Sequence, residues 1–544
     1  MSAEFFSVRG VVVDLVHEKL IPGEVFVVNG KVDSIVEDSS VDGPFLLPGF
    51  VDSHVHVESS MLSPEAFARA AVKHGTIAVV ADPHEIANVA AVAGIDYMVE
   101  SAKRVPFHFF FGVPSCVPAS PMDVCHAALN ADIVDALIQR NDMFFLGEMM
   151  NFPGVVNGDP DVLSKIESAL KQGKPVDGHA PGLVGQQMVD YFAAGISTDH
   201  ECFEIGEARK KIAQGAKILI REGSAAKNFE ALIPLVSENP DMVMFCTDDC
   251  HPDDLLLGHI NKSVKRAVKE GYSVFDILRI ACVNPVKHYN LPVGLLQQND
   301  SADFIVVDNL ANFTVSAVYI KGEKVYSEGS VLFSASKPKV PLYNFRTTWD
   351  FDLKVKREPK MVRVIGVIPG ELITESLQFK PWGSGTFIEA DTSTDIVKIV
   401  LLNRYSEEPP SVGFIKGLGI QHGAFGLSVA HDSHHVIVAG TNDSDIRACL
   451  QFIVENRGGI CACSKGDLVG ATLPLFGLMS NKFAEDIAAE YKAVNSAVHS
   501  MGSTLHAPFM TLSFMALSVI PSLKINHLGL FDVDTFSVTN IFVE

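Results

Sequence analysis

Basic residues are scarce in this chain. Its 544 residues carry 43 Lys and Arg against 65 Asp and Glu, a formal net charge of −22, and no Lys/Arg cluster breaks the imbalance. Nucleic acid and anionic membrane surfaces both need basic patches, so the composition argues against either as a partner. Cysteine is also sparse. Nine are scattered (116, 125, 202, 246, 250, 282, 449, 461, 463), an odd number without a Cys-x-x-Cys pair. That pattern reads as reduced, cytoplasmic usage rather than a disulfide framework. Glu4 interrupts the amino terminus before any apolar core, so no secretory segment is expected. The longest uncharged stretch, Met501 to Leu523, contains two prolines and a histidine, which makes it unsuited to a membrane span. Fixed-period repeats and low-complexity tracts are absent as well.

Hydrophobic residues make up 47% and charged residues 20%, enough to bury a large core. The length suggests about three to four domains, fewer if a barrel is present. Near the amino terminus Val11-Val12-Val13, Val25 to Val28 and Val32 to Val36 read as short strands, with Asn29-Gly30 as a hairpin turn. Strand-like runs return after residue 293 at Ala302 to Asp308, Val315 to Ile320 and Gly322 to Val325. Residues 1–48 and 294–345 are therefore expected to form one small β-sandwich-like domain.

Residues 49–293 alternate apolar runs with helical patterns. The runs end near His54 and His56, Asp82 and His84, Pro114, Glu148, His179, His200, Glu222 and Asp248. Eight β/α units in about 240 residues predict an α/β fold of the TIM (β/α)8 type, with chemistry at the carboxyl ends of the strands. Residues 346–544 read as a carboxy-terminal α+β domain. It has strands at Met361 to Ile368, Ile396 to Leu402 and Val436 to Gly440, and helices at Asp443 to Asn456 and Asn481 to Ser500.

His54-Val55-His56 carries the most chemical information. Side chains at i and i+2 of a strand share a face, so both imidazoles can meet one ion, although the tripeptide alone also describes two surface histidines around a buried valine. The strand ends add Glu148, His179, His200 and Asp248, and four imidazoles with two carboxylates suit a two-metal site. Paired cations need a shared anionic ligand, and Glu148 stands between the histidine groups in strand order. Two metals generate a hydroxide and polarise its target, so hydrolysis is the expected reaction class. Asp248 can bind one metal and take a proton from the attacking water, and Asp249 could exchange roles with it.

These motifs resemble the amidohydrolase superfamily and, within it, the adenine deaminases. The resemblance rests on Leu47 to Ser60 with its Glu58-Ser59-Ser60, on Asp82-Pro83-His84-Glu85, on Gly147-Glu148, and on Asp177-Gly178-His179-Ala180-Pro181-Gly182. It continues through Thr198-Asp199-His200-Glu201, Arg221-Glu222-Gly223-Ser224 and Cys246-Thr247-Asp248-Asp249, and covers nearly the whole chain. Many superfamily members bridge their metals with a carbamylated lysine where this chain has Glu148. The resemblance implies two Mn2+ or Fe2+ ions and hydrolysis of adenine to hypoxanthine and ammonia by attack of metal-activated hydroxide at C6, in purine salvage or catabolism. Implied substrate contacts are Glu58, Ser59, Ser60, His84, Glu85, Glu201, Glu222 and His431, and Glu58, Glu85, Glu201 and Glu222 stand equal as the acid that protonates N1. The cluster His431-Asp432-x-His434-His435 either leans over the barrel mouth or makes an interdomain network.

Adenine and further copies of the chain, as a homo-oligomer, are the expected partners. A related hydrolase opening a cyclic amide or removing an N-acyl group is the rival, and it would release a carboxylate instead of ammonia. A non-catalytic scaffold should have lost ligands, whereas all six are present. The zinc nucleobase deaminases of another fold need Pro-Cys-x-x-Cys after His-x-Glu, and His56-Val57-Glu58 has no such partner.

Overall fold

The computed structural model describes residues 5–224 and 226–543; Glu4 lies outside them. Strands β1 (Phe5–Asp14) and β2 (Lys19–Val28) pair antiparallel along their whole length. β2 then turns into β3 (Lys31–Glu37) through Asn29 and Gly30, whose φ values of 51° and 76° are both left-handed. A two-residue hairpin of the right twist needs that pair of conformations, and Asn-Gly accepts them at little steric cost. β4 (Phe45–Pro48) runs parallel to β1 and leads across Gly49 into the next set of strands.

That set is parallel throughout: β5 (Phe50–Val55), β6 (Thr76–Ala81), β7 (His108–Val113), β8 (Met143–Met149), β9 (Val176–Gly178), β10 (Thr198–Asp199), β11 (Lys217–Arg221) and β12 (Val243–Cys246). β5 to β9 pair in sequence order as a five-stranded curled sheet, and β10 to β12 form a three-stranded one. Most of their residues are buried on both faces, which explains why they read as continuous apolar runs rather than alternating ones. Parallel bridges Val176 to Ile196 and Val55 to Asp248 lie at the two places where the sheets meet. At the second, His56 N donates to Asp248 O at 3.2 Å and Asp248 N donates to His54 O at 2.9 Å.

The chain then returns through β13 (Phe304–Val307), β14 (Val315–Ile320), β15 (Glu323–Ser327) and β16 (Ser330–Val331). β13 pairs antiparallel with β4, so strands from both flanks make one eight-stranded sheet. Its period-two pattern serves two cores. Val12, Val25, Val27 and Phe304 fill one face. Val13, Leu47, Ile305 and Val307 face the core shared with the parallel strands.

The carboxy-terminal region holds an eight-stranded sheet between Val362 and Thr472, helices Asp443–Glu455 and Ala484–Ser500, and a three-stranded sheet between Leu523 and Thr539. The uncharged stretch 501–523 forms a short helix, Pro508–Ser513, and turns that bury Phe509, Leu512 and Phe514. No helix among the described residues is long and apolar enough to cross a membrane. This region seats on the mouth of the parallel strands: Tyr405 Oη donates to Asn88 O at 3.1 Å, and Ser518 Oγ to Asp123 Oδ1 at 3.0 Å.

Candidate metal centre

His54 lies within β5 and His56 immediately past its end, their ring centroids 4.8 Å apart and nearly perpendicular. Both Nε2 atoms approach Asp248 Oδ1, at 3.5 and 3.1 Å. Asp248 is brought there by the bridge between the ends of β5 and β12, and it holds a left-handed φ of 56°. A non-glycine residue in that region is held by its surroundings, which is common where a side chain must be aimed. His56 Nδ1 lies 2.9 Å from Asp82 O, so its N–H donates to that carbonyl and fixes the ring with Nε2 turned inward toward the two carboxylates. His54 is fully buried and its pKa is lowered, first by burial and then by the His200 charge. It is neutral, so its approach to Asp248 is not an ion pair. Neither of its ring nitrogens has a hydrogen-bond partner, and a cation bound among the carboxylates would satisfy the inward-facing Nε2.

Glu148, near the end of β8, stands at the centre. Its Oε1 is 3.3 Å from His56 Nε2 and 4.0 Å from His54 Nε2, and its Oε2 is 2.9 Å from His179 Nδ1 and 3.2 Å from His200 Nε2. One oxygen thus serves each histidine pair. Burial pushes the Glu148 carboxyl up, but hydrogen bonds from His179, His200 and His56, with the His179 charge, hold it well below the usual range. The Glu148 N–H donates to Asp82 Oδ2 at 2.9 Å, and this contact needs Gly147, where an added Cβ would sit 2.6 Å from Asp82 Cγ. Tyr191 accepts from His179 N at 3.0 Å and donates to Met149 O at 2.7 Å, tying the ends of β8 and β9 together.

The other candidates divide. His84 joins the centre, with Nδ1 3.4 Å from Glu148 Oε1. Glu201 does so from the opposite side, 3.2 Å from His200 Nε2. Asp249 lines the same cavity but accepts from Ser59 Oγ at 2.5 Å and makes no approach to the histidines. Glu85 and His431 meet at 2.6 Å at the cavity edge. Glu58 does not line the cavity: its Oε1 accepts from Ile86 N at 3.1 Å, and burial pushes the carboxyl up to about 7. Ser60 Oγ turns back to Val57 O. Glu222 is placed elsewhere, in a separate polar cavity beside Arg266 at 3.5 Å.

The misplacement of Glu222 has a simple cause. Residues alternate between faces along β11, so Arg221, not Glu222, points to the centre. Arg221 is a site residue that the strand-end pattern does not single out. It is 2% exposed, donates from Nη1 to Asp248 Oδ2 at 2.7 Å, and forks onto Glu201 through Nη1 and Nη2. Against burial, its charge holds Glu201 and Asp248 well below the usual carboxylate range. An arginine closing an apolar strand was the available signal. The far wall was also not foreseen: Leu372, Phe514, Leu517, Val519 and Ile520, all from the carboxy-terminal region, give the cavity an apolar side opposite its polar floor.

A curled parallel sheet with a carboxylate between two histidine pairs defines a metal-dependent hydrolase of the amidohydrolase kind, and residues 45–325 match the Amidohydrolase family. The chain belongs, over almost its full length, to the adenine deaminases. Residues 371–537 match the adenine deaminase C-terminal domain. The adenine deaminase of Methanosarcina mazei is 46% identical over 98% of this chain and 99% of its own. That of Salinibacter ruber is 47% identical over 99% of both. Among solved structures, a β-aspartyl dipeptidase from Fervidobacterium islandicum (14% identical, TM-score 0.47) covers 62% of this chain and 99% of its own. An enamidase of the amidohydrolase superfamily (15% identical, TM-score 0.47) covers 60% and 97%.

Proposed function

We propose that this chain deaminates adenine to hypoxanthine and ammonia at a centre of two divalent cations, Mn2+ or Fe2+, bridged by Glu148 and held further by His54, His56, His179, His200 and Asp248. The observation that carries the reading is the division of the Glu148 carboxylate, Oε1 toward His56 and Oε2 toward His179 and His200. Such cations, when bound, acidify water and polarise the carbon it attacks. The protein groups do the rest. Asp248 takes the proton from the attacking water at its carboxylate, which Arg221 keeps ionised and oriented, and passes it to the departing amine. Glu201, kept anionic by the same guanidinium, accepts a purine N–H. Phe514 and its apolar neighbours cover the ring and exclude bulk water.

The same reading takes β5 to β12 as a closed barrel spanning residues 49–293. It is supported by the bridge between β5 and β12 and by Asp52 on β5, which accepts from Thr247 N at 3.0 Å. Residues 1–48 and 294–345 form the sandwich-like unit and residues 346–544 the third domain. A cytoplasmic homo-oligomer serving purine salvage or catabolism is the setting proposed, in keeping with nine unpaired cysteines. The test is to purify the protein with manganese under iron-limited conditions, count bound metal, and follow adenine absorbance beside adenosine and cytosine. Two equivalents of metal and turnover of adenine are expected. Metal-free protein with full activity overturns the reading.

A further inference from the structure

Glu85, His431 and His434 form a second buried cluster beside the six-residue set, each at most 4% exposed. Glu85 opens the helix His84–Ala102 as its second residue, and the two histidines come from the turn that precedes the strand Val436–Gly440. One carboxylate oxygen, Oε1, lies 2.6 Å from His431 Nδ1, while Oε2 faces His434 Nε2. The two rings are 5.5 Å apart at 66°, and the three donor atoms lie within 4.8 Å of one another.

An ion pair between Glu85 and a protonated His431 accounts for one of these nitrogens. It leaves the other side unexplained: His434 Nε2 and Glu85 Oε2 are pressed against each other without hydrogen-bond geometry, and His434 Nδ1 is buried without a partner. Unpaired polar atoms at that depth each cost about 1–3 kcal/mol. Burial also holds His434 neutral, with a pKa of about 4, so a ring lone pair is available at neutral pH. A cation satisfies the facing nitrogen and oxygen together and displaces the proton from His431. Two imidazoles and one carboxylate are a donor set for Zn2+ and related first-row divalent ions.

We propose that Glu85, His431 and His434 bind a further divalent transition-metal ion, Zn2+ by donor set, distinct from the cations around Glu148. It would pin the carboxy-terminal region to the helix that starts at the cavity floor. His84 separates the two centres, its Nδ1 3.4 Å from Glu148 Oε1 and its Nε2 3.6 Å from Glu85 Oε1.

The experiment compares wild type, His434→Ala, His431→Ala and Glu148→Gln, each equilibrated with Zn2+, desalted and assayed for metal per chain by mass spectrometry. Both histidine variants should hold one equivalent fewer than wild type, whatever the wild-type total, and Glu148→Gln should keep that equivalent. Equal metal in wild type and both histidine variants overturns the proposal. Should the variants fail to fold, wild type preloaded with Mn2+ is titrated with Co2+. A visible absorption band saturating at one equivalent supports the site, and no band overturns it.

Discussion

Arg221 grips the side of Asp248 that the histidines do not use: its Nη1 donates to Oδ2 at 2.7 Å while Oδ1 faces His56 Nε2 at 3.1 Å. The same guanidinium also holds Glu201, so one buried cation sets the charge and direction of two carboxylates. Removing it leaves both anions buried and uncompensated, a loss of about 3–5 kcal/mol. Arg221→Met should therefore lower the thermal midpoint and reduce kcat/KM at least 100-fold. Arg221→Lys should recover stability better than activity, since a lysine cannot reproduce the fork. Equal recovery of both by lysine would show that charge alone matters.

Glu148→Gln removes the anion between the histidine pairs while keeping its shape. Metal content should drop by at least one equivalent and adenine turnover should fall with it, read by metal analysis and absorbance on the same sample. Full activity removes Glu148 from the bridging role.

Asp248→Asn should leave the circular dichroism spectrum unchanged, because the backbone bridge to β5 is made by main-chain atoms. Turnover should fall by about 100-fold or more, the range for loss of a general base. A variant as active as wild type assigns the proton transfer to another group.

Gly147→Ala tests the packing beneath the centre. The new methyl collides with the Asp82 carboxylate, which accepts the Glu148 N–H and whose main-chain carbonyl orients His56. Weaker metal retention during dialysis is expected, with a loss of activity that added Mn2+ restores in part.

Lys524 offers a pH test away from the clustered histidines. It is buried and donates to Leu372 O at 2.7 Å and Phe514 O at 3.0 Å, two residues of the apolar wall, and burial pulls its pKa down to about 7. The unfolded value is about 10.4. Below about pH 7 the lysine is charged in both states and the folded state bears the full cost. Between about 7 and 10 the unfolded chain binds more protons, so stability rises with pH. The thermal midpoint of wild type relative to Lys524→Met should climb from pH 7 to pH 9.5. A flat difference would mean that the lysine keeps its ordinary pKa.

The parallel strands were legible because they are buried on both faces: each of the eight apolar runs overlaps one of them, and in the carboxy-terminal region Ile396–Leu402 and Val436–Gly440 match to the residue. Thr374–Phe379 and Asp467–Thr472, also strands of the carboxy-terminal region, were not, because their exposed, mixed sequences carry no periodic signal. The six clustered donors were legible for a different reason. Strand ends in a parallel set converge, so the polar residues that close the apolar runs lie around the floor of the cavity. At β11 the first polar residue after Ile218 to Ile220 is Arg221, and Glu222, one step further, falls on the opposite face.

Local sequence by itself determined the hairpin at Asn29-Gly30, the parallel strands and the identities of the clustered donor residues, since these depend on backbone preference, burial and chain order. Only the tertiary structure decided that Asp248 rather than Asp249 faces the histidines, that Arg221 holds it, and that Phe514 and Leu372 close the cavity. Those outcomes depend on contacts between residues far apart in the chain, whose geometry is set by how the strands and the carboxy-terminal region pack and not by any preference of the residues themselves.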